Sequence, residues 1–511
     1  MTKDELFCKQ LRVLDVGKLK GDPTYARCLA ESLADLPPGW VHTQKAIQKT
    51  ILKTLPKAKK SDVPECWQDI KGQSLHQHIS GVGRARNAAV ADPFNLDLQE
   101  RLKSRKKELK KFVQRSKKRF LKLHIDRYIS GGKKQRAAAA ARLQGIPVND
   151  TSKPSISPEG FAEHFEKLFS RTSSEEKLHL ERYPHLLPPK SRPRLELSGC
   201  PGEAEMREAL LGLNLNKASG TDGITAEMFL EAKEVLIPRL CADFETFWPT
   251  GPDVDFNTIA TVFDGWQHAE VVTLYKGKGA KADPGSYRGI FLLEIAGKIL
   301  SSVIATRLTD LIDSYLSDSQ CGFRRRRGTN HQIHVLRRLQ SEVRKASLPT
   351  AAIFVDFEKA FDSPPRQALY ECLEYAGCPP DLLALIRAIH LDPQACVRGS
   401  TAWFKVARGI RQGCVLGPML FNLLLDFCIR IADFGHGGVE LVCVNKKDLQ
   451  CPRDILGRSF KLKDAAYADD LALVGTTLAL LSQSLNKLQA VRDGAQTVFR
   501  DGANDDLCQG A

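Results

Sequence analysis

No two of the fourteen cysteines are spaced as C-x-x-C, and none clusters with His. That pattern excludes the usual structural zinc sites, whose ligands come in closely spaced Cys and His pairs. No apolar stretch is long enough to span a bilayer, so a membrane partner is not expected. The first residues, "MTKDELFCKQLRVLDVGKLKG", lack the apolar core of a signal peptide. An intracellular chain with reduced thiols is the expectation. Residues 1–100 are Pro-punctuated and hold no repeat or low-complexity run.

What the chain has is length and positive charge. Its 511 residues exceed one ordinary core, so two or three domains are expected. The hydrophobic share of 42% and charged share of 26% fit a globular protein. The net charge of +15 favours polyanionic partners, nucleic acid above all. That charge is local. Residues 101–142 hold 17 Lys or Arg against Glu108 and Asp126, a net +15 that equals the charge of the whole chain. Lys106, Lys107, Lys110 and Lys111 lie in its densest part, and Phe112, Phe120, Leu121 and Ile125 follow a loose helical stripe. The segment reads either as a phosphate-contacting arm or as a solvated helix between domains.

Residues 148–161 read as a linker, followed by a short amphipathic helix with Phe161, Phe165 and Phe169 at spacing four. From about residue 200 onward, helical and strand-like patterns alternate without a regular βαβ rhythm, which predicts an α+β fold.

Three stretches carry chemistry. In "AAIFVDFEKAFDSPP", residues 351–365, Ala352 to Val355 predict a short buried strand that Asp356 ends. An Asp there is also an ordinary helix cap. The next helix carries Leu369, Cys372, Leu373 and Ala376 on one stripe, Gly377 stops it, and Asp381 is expected to cap its successor. In "RGIRQGCVLGPMLFNLLLD", residues 408–426, Gly413 and Gly417 precede a helix beginning near Pro418. Glycine there lets backbone approach a flat ligand or phosphate closely. In "AYADDLALVG", residues 466–475, Asp469 and Asp470 interrupt an apolar run. Buried carboxylates are costly unless paired or metal-bound, so the pair is either a polar turn or a cation site. In this order the three stretches predict two strands that bring Asp356 and Asp469 together from distant parts of the chain. Carboxylates so placed can hold two Mg²⁺ about 3.5–4 Å apart.

The ordered blocks resemble the reverse transcriptases of non-LTR, LINE-type retrotransposons, from about residue 160 to 490. Beside the three stretches above, "LNKASGTDGITAEMF", "AEVVTLYKGKG", "YRGIFLLEIAGKILSSVIATRL" and "QCGFRRRRGTNHQI" are similar to that family's earlier blocks. The resemblance implies a right-hand polymerase with fingers at 160–345 and a palm at 346–492; charge marks a basic N-terminal region of unknown fold at 1–150, and the Asp-, Gly- and Ala-rich end at 493–511 predicts a disordered tail. It implies Mg²⁺-dependent addition of dNTPs to a DNA primer on an RNA template, with Mn²⁺ able to substitute, in the nucleus. Asp356 and Asp469 are implied metal ligands, with Asp470 beside them. Phe361 resembles the gate under the incoming sugar. Gln412 and Gly413 resemble the loop under the template-pairing base. Arg288, Lys276 and Lys278 resemble finger residues that clamp the triphosphate. Arg324, Arg325 and Arg326 read either as template-phosphate contacts or as a solvated turn.

Gly289 and Gly417 replace the family's usual Pro and Ser. After the helix over Leu478, Leu481, Leu485, Leu488 and Val491, the family's Lys-bearing strand does not follow, so a C-terminal truncation without a thumb is expected. No endonuclease or RNase H signature stands out. Two other readings stay open: an inactive nucleic-acid-binding remnant, and a reverse transcriptase of the intron-maturase kind.

Overall fold

The computed structural model describes residues 16–19, 23–55, a helical stretch and scattered positions between 82 and 111, 156–170, 177–249, 259, 266–432 apart from 358, 438–442 and 459–494. The chain divides into two compact units, one of Met1–Pro56 with Ser155–Ala511 and one of Lys57–Pro154. In the second unit residues 97–109 are helical, with Arg105 paired to Glu108 one turn on at 3.0 Å. Lys106, Lys107 and Lys111 are exposed. Lys110, the apolar stripe from Phe112 to Ile125 and most of the basic segment lie outside the described residues.

The first unit opens with α1 (Pro23–Ala34) and α2 (Trp40–Thr54). Tyr25, Leu29 and Leu33 on α1, spaced by four, and Trp40, Ile47 and Ile51 on α2, spaced by seven and four, are buried, which puts each helix's apolar stripe in the core. The Trp40 ring lies 6.2 Å from Phe229 and 5.8 Å from Trp266. Asp243 accepts the Gly39 N–H at 2.7 Å, and Arg239 donates to Thr43 at 2.9 Å. This corrects the assignment of the first 55 residues to a separate N-terminal region. The apolar stripe of α2 places residues 23–55 in the same core as the chain beyond 156; a further break falls after residue 56, while the one at 155 lies within the linker expected over 148–161.

Helix α3 (Pro158–Phe169) is capped by Ser157, whose hydroxyl accepts the Gly160 N–H at 3.1 Å. Phe161, Phe165 and Phe169 are all buried, as their spacing predicts. Next come α4 (Lys233–Glu245), β1 (Ala269–Tyr275), β2 (Tyr287–Leu292), α5 (Ile295–Tyr315) and α6 (Thr329–Ala346). Then follow β3 (Ala351–Asp356), α7 (Arg366–Tyr375), β4 (Gln394–Val397), β5 (Trp403–Lys405) and α8 (Gly417–Ile431). The described chain ends with β6 (Val439–Val442), β7 (Ser459–Leu462), β8 (Asp464–Tyr467), β9 (Asp470–Gly475) and α9 (Leu478–Gly494).

Besides the two-stranded pair β6-β7, two larger sheets organise the unit. One has the order β2-β1-β4-β5, with β1 antiparallel to β2 and parallel to β4. The hairpin at 394–405 was expected to belong with 346–492, yet it completes the sheet begun by 269–292. The reason is its register on β1, Val271 opposite Val397, whose two valines are both buried. The expected boundary at 345 therefore does not separate the two sheets. Residues 493 and 494, assigned to the tail, finish α9; residues 495–511 lie outside the described residues.

The second sheet has the order β3-β9-β8. Phe354, expected to be buried, is 76% exposed. Strand β3 is an edge strand that alternates half-buried and exposed residues, so Ala352, Phe354 and Asp356 share an open face. Asp381 also departs from expectation. It is buried inside the first turn of the helix Pro380–Ile389 and accepts bonds from Ser198 Oγ, the Gly199 N–H and Trp248 Nε1 at 2.9, 2.9 and 3.1 Å. Three donors from two distant segments outweigh a local cap.

Candidate active site

The strand β3 runs antiparallel to β9 with Asp356 directly opposite Asp470. Such partners lie with their Cα atoms about 5 Å apart and their side chains on one face. Strand β8 pairs on the other edge of β9, Tyr467 opposite Asp470, so Ala468 and Asp469 form the two-residue turn between them. This is the hairpin expected from "AYADDLALVG". The turn carries strain: Ala468 sits at φ 56°, a left-handed conformation unusual for a residue with a Cβ.

Burial raises the Asp469 carboxyl above its ordinary range, a bond from its own backbone opposes this, and the negative charges of Asp470 and Asp356 raise it further. The positive charge of Arg288 pulls the other way. Among the described residues none of the three carboxylates has an ion-pair partner within 4 Å. Three convergent acids with unbalanced charge suit a divalent cation. Among the described residues no group of three or more Asp, Glu, His or Cys side chains stands ready to hold a metal ion, so backbone register brings the three acids near one another without forming a closed ligand set.

The segment 408–413 is stitched to two neighbours. The Ile410 N–H donates to the Phe361 carbonyl at 2.7 Å, and the Gly409 N–H to Pro364 at 2.9 Å. On the other side the Phe291 N–H of β2 donates to the Gln412 carbonyl at 2.8 Å. Gly413, at φ 129°, lies so close to the Phe291 carbonyl that a Cβ would collide with it. The glycine therefore serves a backbone–backbone approach. Gln412 Nε2 donates to Asp362 Oδ1 at 3.1 Å. Burial pushes the Asp362 carboxyl up to about 6, against the pull of that bond and of Lys276 and Lys359. Phe361 is half-buried, its ring 4.7 Å from that of Phe421 on α8.

Arg288 is exposed on β2 and felt by Asp469, while Lys276 is felt by Asp362 and donates its ammonium to the Gly285 carbonyl at 2.8 Å. Arg288 is thus near enough to act on Asp469, and Lys276 on Asp362. Lys278 is exposed in the turn joining β1 to β2. Gly289 leaves room for the Phe165 ring, which a Cβ there would approach to 3.0 Å.

One expected contact is corrected. Arg324 is only 9% exposed, so it cannot reach a template phosphate. It donates to Asp313 Oδ1 at 2.6 Å, to the carbonyls of Ser317 and Gln320 at 2.7 and 3.1 Å, and to the Asp313 carbonyl at 3.2 Å. A guanidinium has five N–H donors, and four bonds to one turn make it a clip. Arg325 and Arg326 are exposed, Arg325 lying 3.6 Å from Asp310.

Sequence reasoning passed over Gln320, Arg366 and Arg411, which shape the site from beneath. Arg366 donates to the carbonyls of Val406, His390 and Gly409 at 2.7, 3.2 and 3.2 Å. Arg411 donates to those of Gln267 and Ile389 at 2.8 and 2.9 Å. Both are buried, and carbonyl dipoles rather than carboxylates balance them. An Arg beside a Gly-rich loop reads as a surface residue, so no signal in the sequence pointed to this.

Residues 278–494 match the family model described as reverse transcriptase (RNA-dependent DNA polymerase). The chain is 26% identical over 297 residues to the transposon TX1 uncharacterized 149 kDa protein of Xenopus laevis, covering 55% of this chain and 20% of that one. It is 28% identical over 214 residues to a probable RNA-directed DNA polymerase from transposon BS of Drosophila melanogaster, covering 41% and 21%. It is 31% identical over 169 residues to the putative 115 kDa protein in the type-1 retrotransposable element R1DM of Drosophila melanogaster, covering 32% and 16%. The matched stretches span about a fifth or less of the length of these relatives.

Proposed function

Residues 278–494 form a reverse transcriptase domain of the non-LTR retrotransposon kind, and from that premise we propose that the chain extends a DNA primer on an RNA template. The observation that carries the proposal is the register that sets Asp356 opposite Asp470 with Asp469 in the adjoining turn. The sheet β3-β9-β8 then serves as the palm, and β1 with β2 as the fingers above it.

Asp356, Asp469 and Asp470 are the residues to hold the metal. Two bound Mg²⁺ would supply activation of the primer hydroxyl and charge neutralisation at the leaving phosphate. The protein provides no nucleophile. Its contribution is positioning and fixed charge. Arg288, with its rigid donor fork, and Lys276 face the triphosphate from the β1–β2 side. Phe361 walls the sugar position, where a ring leaves no room for a 2′-hydroxyl. Gln412 stands beside it, tied to Asp362. With DNA as the primer, the nucleus is the place we propose for this work. Among the described residues no helix is long and apolar enough to cross a membrane.

Primer extension on a homopolymer RNA template, with and without Mg²⁺, tests the reading. Mg²⁺-dependent incorporation of dNTPs is expected. Binding of primer–template without any incorporation would favour an inactive nucleic-acid-binding remnant.

A further inference from the structure

Gln320 lies at the start of the block "QCGFRRRRGTNHQI", and nothing in the proposed reaction uses it. It is 3% exposed. Its carboxamide is spent on one residue of the turn beside the acids. Oε1 accepts the Ala468 N–H at 2.9 Å, and Nε2 donates to the Ala468 carbonyl at 3.3 Å. Oε1 also accepts the Gly322 N–H at 2.8 Å, which holds the amide group in place.

The surrounding chain is built to deliver that amide. Residues 319–321 run beside β8, with the Ala466 N–H donating to Ser319 and the Cys321 N–H to Ala466, both at 2.9 Å. Gly322 passes so close to the Ala468 nitrogen that no Cβ fits there. Asn422 of α8 donates to the Gly322 carbonyl at 2.7 Å, and Gln332 of α6 to the carbonyls of Ser319 and, at 2.8 Å, Ala466. Arg324 clips the following turn.

This matters because of what Ala468 is. A residue with a Cβ at φ 56° is strained, and such strain persists only where neighbours over-determine it. The next residue is Asp469. Were Ala468 to relax toward negative φ, the Asp469 carboxylate would swing away from Asp356 and Asp470.

We infer that Gln320 is a positioning residue for Asp469, acting through the backbone of Ala468, whose N–H and carbonyl it grips together. This rests on the reading of the three acids as the metal-holding site of a polymerase.

The test is a cycle of Gln320→Ala and Ala468→Gly, alone and together, read by extension kinetics and by melting temperature in EDTA. Glycine takes positive φ without strain, so the clamp is needed less once Ala468 is replaced by it. Gln320→Ala is expected to lower kcat about a hundredfold, the cost of a misplacement of about 1 Å, with KM for dNTP changed less than about threefold. In the Ala468→Gly background the loss should be at least about tenfold smaller, and the fall in melting temperature smaller too. Equal losses of kcat in both backgrounds, or parental kcat in Gln320→Ala, would overturn the inference. If Gln320→Ala is insoluble, Gln320→Met, which keeps length without the hydrogen bonds, takes its place in the cycle. If the parent extends no primer, the reading of the reaction fails, and the melting-temperature cycle alone decides the clamp. Additive shifts there would overturn it.

Discussion

Asp356 and Asp470 are direct partners across the β3–β9 pair, last residue of one strand against first of the other, and Asp469 in the adjoining turn feels both. Like charges pressed together cost stability until a cation joins them. Asp469→Asn should therefore leave the metal-free fold as stable as the parent or more so, while primer extension falls by about three orders of magnitude or more. Thermal melting in EDTA and extension in Mg²⁺ check the two halves. An Asn variant that extends primers at the parental rate would remove Asp469 from the site.

Phe361 packs on Phe421, ring centroids 4.7 Å apart, and is proposed to wall the sugar position as well. Both roles are testable at once. Phe361→Ala should cost about 2 kcal/mol, less than a fully buried Phe because the ring is half-buried. If the ring also walls the sugar, incorporation of ribonucleotides relative to deoxynucleotides should rise. A destabilised, active variant with the parental ratio would leave Phe361 as core alone.

The arginine run splits in two. Arg324→Ala removes four hydrogen bonds and leaves buried carbonyls without donors, so a loss of about 2–3 kcal/mol in urea unfolding is expected. Arg325→Ala removes an exposed pair and should change stability by less than about 0.5 kcal/mol. If instead Arg325 carries stability and Arg324 carries RNA affinity, the burial of the turn has been misassigned.

Asp362 gives a pH dependence of defined sign. Its carboxyl sits at about 6 in the fold against an ordinary 3.8. Between those values the unfolded chain has lost a proton that the folded chain keeps. The contribution of Asp362 is therefore fully present below about pH 4, is lost as pH rises to 6, and is constant above. Asp362→Asn should flatten that fall. The difference between parent and variant should amount to roughly 2–3 kcal/mol across the window. Urea midpoints at pH 4, 5, 6 and 7 measure it. A difference that grows with rising pH above 6 would contradict the assignment.

Local pattern made the site's strands legible and left its supports hidden. Asp356 ending a strand and Asp469 in a hairpin turn both follow from short apolar runs interrupted by acid. The stripe of Leu369, Cys372, Leu373 and Ala376 is fully buried, as period 3.6 requires. Phe354 was misread because apolarity alone does not tell an edge strand from a central one. The α2 helix was missed as part of the core because Trp40 meets Trp266 across more than two hundred residues, a contact no local window contains. Arg324 and Gln320 failed for the same reason. A polar side chain in a loop reads as solvent-facing, and only the fold reveals that a carbonyl or a peptide waits beneath it.

The basic segment 101–142 carries the chain's whole net charge, and the part of it described is a helix with Lys106, Lys107 and Lys111 exposed. Phosphate contacts by lysine release condensed counterions, so each one steepens the fall of affinity with salt by nearly one logarithmic unit per decade. Deleting 101–142 should weaken RNA and DNA binding alike and flatten the slope of log affinity against log salt by several units. Filter binding across a salt series, on two unrelated sequences, measures both effects. Selective loss on one sequence would point to base contacts instead. An unchanged slope would mean the charges stay solvated and the segment serves only to join its neighbours.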